Sequence, residues 1–362
     1  YVDGKRRLED IAGIQYLSPS GELVTTAARA RFKTPDDIPL PAWHLFDLEP
    51  YFEAGEGMGV ARGRSMPILA TRGCPYQCTF CSNPLMWTTR YVMRSIPAVV
   101  DEIESYLREY RATNIDFFDL TAIIQKKWTL EFCQEIKRRG LQFTWQLPSG
   151  TRSEAMDAEV LKAMSSSGCM NVTYAPESGS VRVLSSIKKK VKLPALVASI
   201  KSAIPLGIVV KCNLIVGFPD ETRWDMLQTF WFALKLAWMG VEDTGLYVFT
   251  PYPGSELYTS LRAKGVLGPM NKEYFESMTS FMKLVPTVTY SEHVGRWEIS
   301  FYRLFGMALF YSISFLRHPS RMVRFVRNFR QQRADTTFEE RLFERLRRSK
   351  LQRKTKAMAA ES

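Results

Sequence analysis

Histidine is scarce. His44, His293 and His318 are the only three in 362 residues, and none lies near the cysteines where it could complete a zinc tetrahedron. No Gly-x-Gly-x-x-Gly occurs, so nothing argues for a flat dinucleotide-binding sheet. No secretory signal opens the chain, and six cysteines at this length fit a reducing compartment. The expected location is cytoplasmic, with membrane association left open. The apolar stretch Ile299 to Leu316 is eighteen residues, short of the roughly 20 that a bilayer crossing takes, which leaves a buried or an interfacial helix. Positive charge is in excess but confined. The net charge is +12, and from Arg317 to Lys356 fourteen Lys and Arg stand against four Asp and Glu, so the remainder is close to neutral. Hydrophobic content of 46% is ample for a core, and the length is worth two or three domains. The chain starts at Tyr1 rather than Met and is expected to be a fragment or a processed product.

One loop concentrates the reactive chemistry. Arg72 to Pro84 reads Arg-Gly-Cys-Pro-Tyr-Gln-Cys-Thr-Phe-Cys-Ser-Asn-Pro and sets Cys74, Cys78 and Cys81 at Cys-x3-Cys-x2-Cys spacing. Gly73 and Pro75 bend the backbone so that three thiolates can converge. A structural zinc site takes a closed set of four ligands, and ferredoxin-type clusters close with a fourth Cys in their own spacing. No fourth ligand is nearby. An iron-sulfur cube on three thiolates keeps one iron open to a non-protein ligand, where chemistry can happen. A zinc knuckle or three unrelated thiols is the competing reading, and spacing, Phe80 and the Gly-Cys-Pro context argue together against it.

This loop, with the aromatic Phe80 just before the last cysteine, resembles the signature of the radical S-adenosylmethionine (radical SAM) superfamily. The resemblance implies a 4Fe-4S cluster on Cys74, Cys78 and Cys81, with the amino and carboxylate groups of S-adenosylmethionine chelating the open iron. An electron from the cluster would break a carbon–sulfur bond and give a 5′-deoxyadenosyl radical. An electron donor such as a flavodoxin or ferredoxin is implied with it.

From Met66 onward strands and helices alternate. Ile68 to Thr71 leads into the cysteine loop, and a helix starts at the N-cap Ser95 with an early Pro97 and runs to about Arg111. Further strands are predicted at Ile115–Asp119, Phe143–Leu147, Asn171–Ala175, Lys211–Gly217 and Gly245–Thr250. Helices are expected near Trp128–Arg139, Ser153–Ser166, Leu193–Ile204 and Thr222–Met239. The fold class is α/β, a partial (β/α)6 TIM-like barrel, with a hairpin and linker before it and an α-helical extension after it. The expected domains are 1–60, 61–260 and 261–362. In such barrels the chemistry sits at the carboxyl ends of the strands. Here the cysteine loop, Asp119-Leu120-Thr121, Pro148 to Arg152, Pro176 to Ser180, Gly217 to Thr222 and Pro251 to Ser255 all fall on that one rim.

The resemblance assigns jobs to these rim segments. The family's Gly-Gly-Glu-like turn, which holds the methionine ammonium, falls on Asp119-Leu120-Thr121, although the glycines are absent. Glu177 and Ser178, in Glu-Ser-Gly-Ser, match the segment that accepts from the ribose. Gly217 matches the segment that lets backbone approach the adenine, and Arg152 is suited to pair with the cofactor carboxylate. The competing readings are a solvated Arg152 beside the helix start at Ser153 and an ordinary turn carboxylate at Glu177. Cys133, Cys169 and Cys212 have long, irregular spacings and default to buried free thiols. Of these only Cys212, on a strand whose inward side faces the barrel interior, is a catalytic candidate.

Before the barrel, Gly13 to Leu17 and Glu22 to Val24 flank a turn and predict a hairpin of about four residues a side. The linker that follows, Ile38-Pro39-Leu40-Pro41-Ala42-Trp43, is similar to one that joins a cobalamin domain to the barrel in the cobalamin-dependent branch of the superfamily. The Asp-x-His-x-x-Gly loop of such domains is absent, and no such domain fits into 60 residues. Either it lies upstream or the chain works without cobalamin, and residues 1–60 can equally be a cap on the barrel.

After the barrel, Met270 to Pro286, rich in Phe and Met, is core or pocket lining. Arginines at 321, 324, 327, 330 and 333 drift around a helix and give a broad basic surface, suited to an anionic membrane or solvated, with nucleic acid the weaker choice. The rim segments resemble those of the anaerobic magnesium-protoporphyrin monomethyl ester cyclases and related methyltransferases. That resemblance implies hydrogen abstraction from an unactivated carbon of a small-molecule, lipid or tetrapyrrole substrate, followed by methylation, ring formation or rearrangement. A methylthiotransferase is disfavoured because no extra amino-terminal cysteine trio is present. The other class is a basic RNA- or membrane-binding protein with a purely structural cluster, which a fourth Cys or His ligand would mark.

Overall fold

Apolar runs of four to nine residues become the strands of one sheet. The computed structural model describes residue 4, residues 6–278 and 288–331, and, within 334–346, residues 334–336, 338–340, 342, 343 and 346. Its strands are β1 (Gln15–Leu17), β2 (Leu23–Thr25), β3 (Ser65–Ile68), β4 (Thr71–Arg72), β5 (Val92–Met93), β6 (Asn114–Phe117), β7 (Thr144–Thr151), β8 (Cys169–Glu177), β9 (Val209–Val216) and β10 (Asp243–Val248). The α-helices are α1 (Glu49–Ala54), α2 (Asn83–Met86), α3 (Ile96–Glu109), α4 (Lys126–Arg138), α5 (Ala158–Ser166), α6 (Val181–Ser186), α7 (Leu193–Ala203), α8 (Arg223–Met239), α9 (Glu256–Ala263), α10 (Lys272–Ser277), α11 (Arg296–Arg317) and α12 (Pro319–Gln331).

The main sheet has the order β10-β9-β8-β7-β6-β3, and every pairing in it is parallel. Each strand lies beside its predecessor in the chain. There is no switch point where the order reverses, so the right-handed crossovers all lay their helices on one face and the sheet curls the other way, as a partial barrel. The observed strands match the predicted ones within a few residues. The first is displaced, because Ser65–Ile68 carries the pairing with β6 and Leu69-Ala70 already turns away. Ser95 caps α3 by accepting from the Ala98 N–H, and Thr222 and Asp225 close a capping box on α8.

Side chains alternate across this sheet. Ile115, Phe117, Trp145, Leu147, Val172, Tyr174, Cys212 and Leu214 join the helix-side core, while Asn114, Asp116, Gln146 and Asn171 line the inside at the amino-terminal ends. The polar layer is satisfied and plugged. Gln146 donates to Asp116 (2.7 Å) and to the Val60 carbonyl (2.9 Å) and accepts from the Val60 N–H (3.1 Å), and Arg62 donates to Asn171 (2.7 Å). Residues 57–62 thereby close the bottom of the barrel and leave its carboxyl end as the place for a cavity.

Contacts divide the chain after Leu40 rather than at residue 60. Residues 1–40 hold the antiparallel β1–β2 hairpin, with three residues a side. Residues 41–60 are not a free linker. Trp43 donates to the Tyr106 hydroxyl (2.9 Å), which is bonded to Glu102, itself paired with Arg94, and Trp43, Leu48 and Phe52 pack on the main core.

At the other end α11 has 22 residues, four more than the apolar run predicts, because Arg296, Trp297 and Glu298 form its first turn and Arg317 extends its last. By length and composition it could cross a membrane. Its buried face, with Ile299, Arg303, Gly306 and Phe310, packs instead on α8 and β10, and Arg303 donates to the Leu246 carbonyl (2.7 Å). The basic surface of α12 is narrower than the spacing of three predicts. Arg321 bonds the carbonyls of Gly240 and Val241, and Arg324 pairs with Glu242. Residues 279–286 of the Phe- and Met-rich segment, Arg333 and nearly all of the tail beyond Glu344 lie outside the described residues.

One buried carboxyl sets a pH dependence. Glu221, just past β9, accepts from the Gly217 and Phe218 N–H groups, and burial pushes it from 4.5 up to about 8. Between these values the folded chain keeps a proton that the unfolded chain releases, so this group's contribution falls as pH rises through the window. Thermal melts from pH 5 to 8 should show a steeper loss of stability for the wild type than for Glu221→Gln, whose amide can still accept both bonds. Parallel curves would remove the assignment.

Candidate active site

The cysteine loop is a hairpin insertion fastened at several points. β4 and β5 pair antiparallel at its base. Gly73 has φ +79°, and a Cβ there would sit 2.1 Å from the Arg90 carbonyl oxygen, so only glycine allows this turn. The Asn83 amide donates to the carbonyls of Cys74 (3.1 Å) and Thr88 (3.3 Å), and its N–H donates to the Cys81 sulfur (3.5 Å). The Thr79 N–H bonds the Ile187 carbonyl after α6, and the Leu257 N–H in α9 bonds the Thr79 carbonyl. Phe80 packs edge-on against Phe218, with ring centres 5.8 Å apart.

Cys74, Cys78 and Cys81 are free thiols, half-buried on the wall of a cavity of about 390 Å³. Burial pushes all three thiols up, while Lys189 and Arg152 pull Cys74 and Cys78 the other way, and Lys189 does so for Cys81. Among the described residues no three His, Cys, Asp or Glu side chains form a site for a single metal ion. A single-ion site would need such donors gathered around one point. A cubic cluster has no such need, since each thiolate binds a different iron. The donor set also fits it chemically, with soft sulfur ligands and two cations to offset the thiolate charge.

The rest of the wall comes from the carboxyl ends of the strands and the loops that follow them. Leu120 and Thr121 follow β6, Gly150 and Arg152 close β7, Ala175 and Glu177 end β8, Asn213 and Ile215 lie on β9, and Tyr247 to Thr250 and Tyr252 come from β10 and its loop. Four residues of this wall each hold one enclosed polar atom with no hydrogen-bond partner among the described residues: Asn83 Oδ1, Thr121 Oγ1, Arg152 Nε and Asn213 Oδ1. Leaving such groups unpaired costs about 1–3 kcal/mol each.

Of the residues singled out in the sequence, Phe80, Thr121, Arg152 and Glu177 line the cavity together with the three cysteines. Arg152 is buried rather than solvated. Its guanidinium lies 3.7 Å over the Tyr76 ring and pairs with Glu154. Glu177 ends β8 at a register shift with φ +67°, a conformation uncommon for a side chain with a Cβ, and its carboxylate takes the Lys189 ammonium at 2.7 Å.

The other predicted residues lie elsewhere. Asp119 is fully enclosed and accepts from the Ala70 and Thr71 N–H groups and the Thr71 hydroxyl, with burial pushing it up to about 6; it fastens the chain entering the cysteine loop to the end of β6. Ser178 bonds Thr229 on α8 (2.9 Å). Gly217 (φ +82°) faces Ile299 of α11 and bonds Glu221. Cys212 points to the helix side of β9, because the alternation turns its neighbours Asn213 and Ile215 inward; burial drives its thiol strongly upward, and it takes no part in the cavity. The period-two pattern of β9 and β10 carried the signal for Asn213 and Tyr247. Lys189, inside the run Lys188-Lys189-Lys190, had none, and neither did Asn83.

Known proteins agree with this geometry. A family model of the Radical SAM superfamily matches residues 68–233. The chain is 31% identical over 279 residues to an uncharacterized methyltransferase of Pyrococcus horikoshii, covering 77% of this chain and 58% of that protein. It is 28% identical over 286 residues to the anaerobic magnesium-protoporphyrin IX monomethyl ester cyclase of Rubrivivax gelatinosus, covering 78% and 49%. The chain thus spans about half the length of the curated relatives it matches. Among solved structures, the radical S-adenosylmethionine methyltransferase TsrM from Kitasatospora setae, with cobalamin and a 4Fe-4S cluster bound, shares the fold with a TM-score of 0.60 at 16% identity, over 86% of this chain and 65% of that one. Residues 68–233, with the three-cysteine loop set into a cavity at the carboxyl rim of a partial barrel, belong to the radical SAM superfamily.

Proposed function

We propose that this chain is the catalytic portion of a radical SAM enzyme that methylates an organic substrate or forms a ring in it. The observation that carries the reading is the cavity wall shared by three thiols, the two cations Lys189 and Arg152, and the Glu177 carboxylate. When bound, a 4Fe-4S cluster supplies the electron that splits S-adenosylmethionine into methionine and a 5′-deoxyadenosyl radical, which takes hydrogen from the substrate. Cys74, Cys78 and Cys81 hold that cluster, and Lys189 and Arg152 offset its charge. Arg152, on the cavity wall beside the cysteines, is the proposed partner of the cofactor carboxylate. Thr121 and Asn213 offer acceptors and hydroxyl or amide donors to the methionine and nucleoside parts. Glu177 has two oxygens, so it can keep Lys189 and still accept a ribose hydroxyl. Tyr76, Phe80, Tyr247, Phe249 and Tyr252 shed water and leave an apolar mouth for a small-molecule, lipid or tetrapyrrole substrate.

Methylation and ring formation both enter because methyltransferases and a cyclase are among the relatives. Cobalamin enters as a second cofactor because the TsrM structure carries it; no residue of this chain is assigned to it. A flavodoxin or ferredoxin is the proposed electron donor, and the apolar and basic carboxyl-terminal region the proposed contact with a membrane. A purely structural cluster is disfavoured, since no fourth cysteine and no histidine lines the cavity.

Anaerobic reconstitution tests the reading. The reduced protein should show a cluster paramagnetic resonance signal that shifts on adding S-adenosylmethionine, with 5′-deoxyadenosine released, and Cys78→Ala should lose both. A spectrum indifferent to S-adenosylmethionine would sink the proposal. A second variant addresses the binding role. Glu177→Gln should keep the cluster absorbance and weaken S-adenosylmethionine binding about tenfold or more, the worth of one hydrogen bond to a charged group. Unchanged affinity would reduce Glu177 to a structural partner of Lys189.

A further inference from the structure

The outer surface of α8 and α11 has no role in the cavity, and its composition is unusual for a surface in water. The two helices run side by side in the same direction. Arg223 pairs with Glu298 at their amino ends (2.7 Å), the rings of Phe230 and Phe305 stack midway, and Arg317 lies over the Trp238 ring at their carboxyl ends (5.3 Å). α8 has five exposed positions, Arg223, Trp224, Trp231, Lys235 and Trp238. The three tryptophans recur every seven residues, so they form one stripe, and they are 67%, 63% and 63% exposed. Beside them α11 exposes Trp297, Phe301, Leu304, Phe305 and Leu316 along one face.

Cations dominate the exposed charge of these helices, and the half-buried Glu298 of α11 offsets one of them, Arg223. The exposed positions of α8, α11 and α12 include six cations, Arg223, Lys235, Arg296, Arg317, Arg327 and Arg330, and no carboxylate. Arg317 and Arg296 lie against Trp238 and Trp297, so two of the cations sit directly on the indoles. Tryptophan is enriched where hydrocarbon meets headgroups, with its ring in the apolar layer and its N–H toward water, and arginine beside it can reach lipid phosphates.

We propose that α8 and α11 form a monotopic docking face for an anionic lipid bilayer, with the tryptophan stripe of α8 as its anchor. α11 lies along the membrane rather than crossing it, because Arg303, Gly306 and Phe310 on its other face are packed against the barrel and Arg303 is bonded to β10. The inference deepens the membrane contact named above and rests on it. It does not rest on the radical chemistry.

Co-sedimentation of the full chain with vesicles tests this, using pure phosphatidylcholine and phosphatidylcholine containing about a third phosphatidylglycerol. The wild type should partition onto the anionic vesicles, with its fluorescence shifted to the blue, and weakly or not at all onto the neutral ones. The triple variant Trp224→Gln, Trp231→Gln, Trp238→Gln should lose about tenfold or more in partitioning, since binding scales with the apolar area inserted. Circular dichroism and 5′-deoxyadenosine release should stay at wild-type levels, because none of the three residues lines the cavity. Equal partitioning of variant and wild type would overturn the proposal, as would a wild type that ignores anionic vesicles. A wild-type dimer in solution that the triple variant converts to monomer, without vesicle binding, would assign the face to a second copy instead and equally overturn it.

Discussion

The Arg72–Pro84 loop that carries three thiols is fixed by hydrogen bonds and turns of the surrounding chain. Burial works against the thiolates, pushing Cys74, Cys78 and Cys81 toward their protonated forms. The backbone around them is shaped by contacts within the chain. Gly73 in a left-handed turn under the Arg90 carbonyl, the Asn83 amide spanning two carbonyls, and Asp119 gripping the chain at Ala70 and Thr71 supply that shape. Lys189 and Arg152 supply the compensating charge. Neither belongs to the loop, so the loop's chemistry depends on the closing of the rest of the barrel around it.

The barrel makes this possible by an asymmetry between its ends. Its amino-terminal interior is filled by hydrogen-bonded amides and carboxylates and by the threaded segment 57–62. Polar groups satisfied in this way rigidify a core. Its carboxyl end holds the cavity, with the cysteine loop, Arg152, Glu177 and Lys189 on its wall. Stability is placed at one end of the strands and function at the other.

The outer side of the same scaffold carries a different cost. α8 closes the crossover to β10, and α11 covers the edge strand β10, so both helices need an apolar inner face. Their outer faces are apolar as well, with indoles and phenyl rings where charged side chains are usual. A helix that is apolar all round is expected to be enclosed on all sides. Here the protein encloses only half, and an apolar surface outside it is the natural complement of the rest.

The alternation of strands and helices, the capping residues Ser95 and Thr222, the rim clusters and the three cysteines were all legible in the order of residues, because each depends on neighbours within one turn, one strand or one loop. The sequence by itself determined that a three-thiol loop follows the first barrel strand, and with it the superfamily. What it left open was decided by contacts across long separations. Whether Arg152 meets water or Tyr76, and that Lys189 reaches Glu177, depend on how the sheet curls. A curl of many strands sums the twist of each pair and the packing of every crossover helix, so no local stretch of residues encodes it.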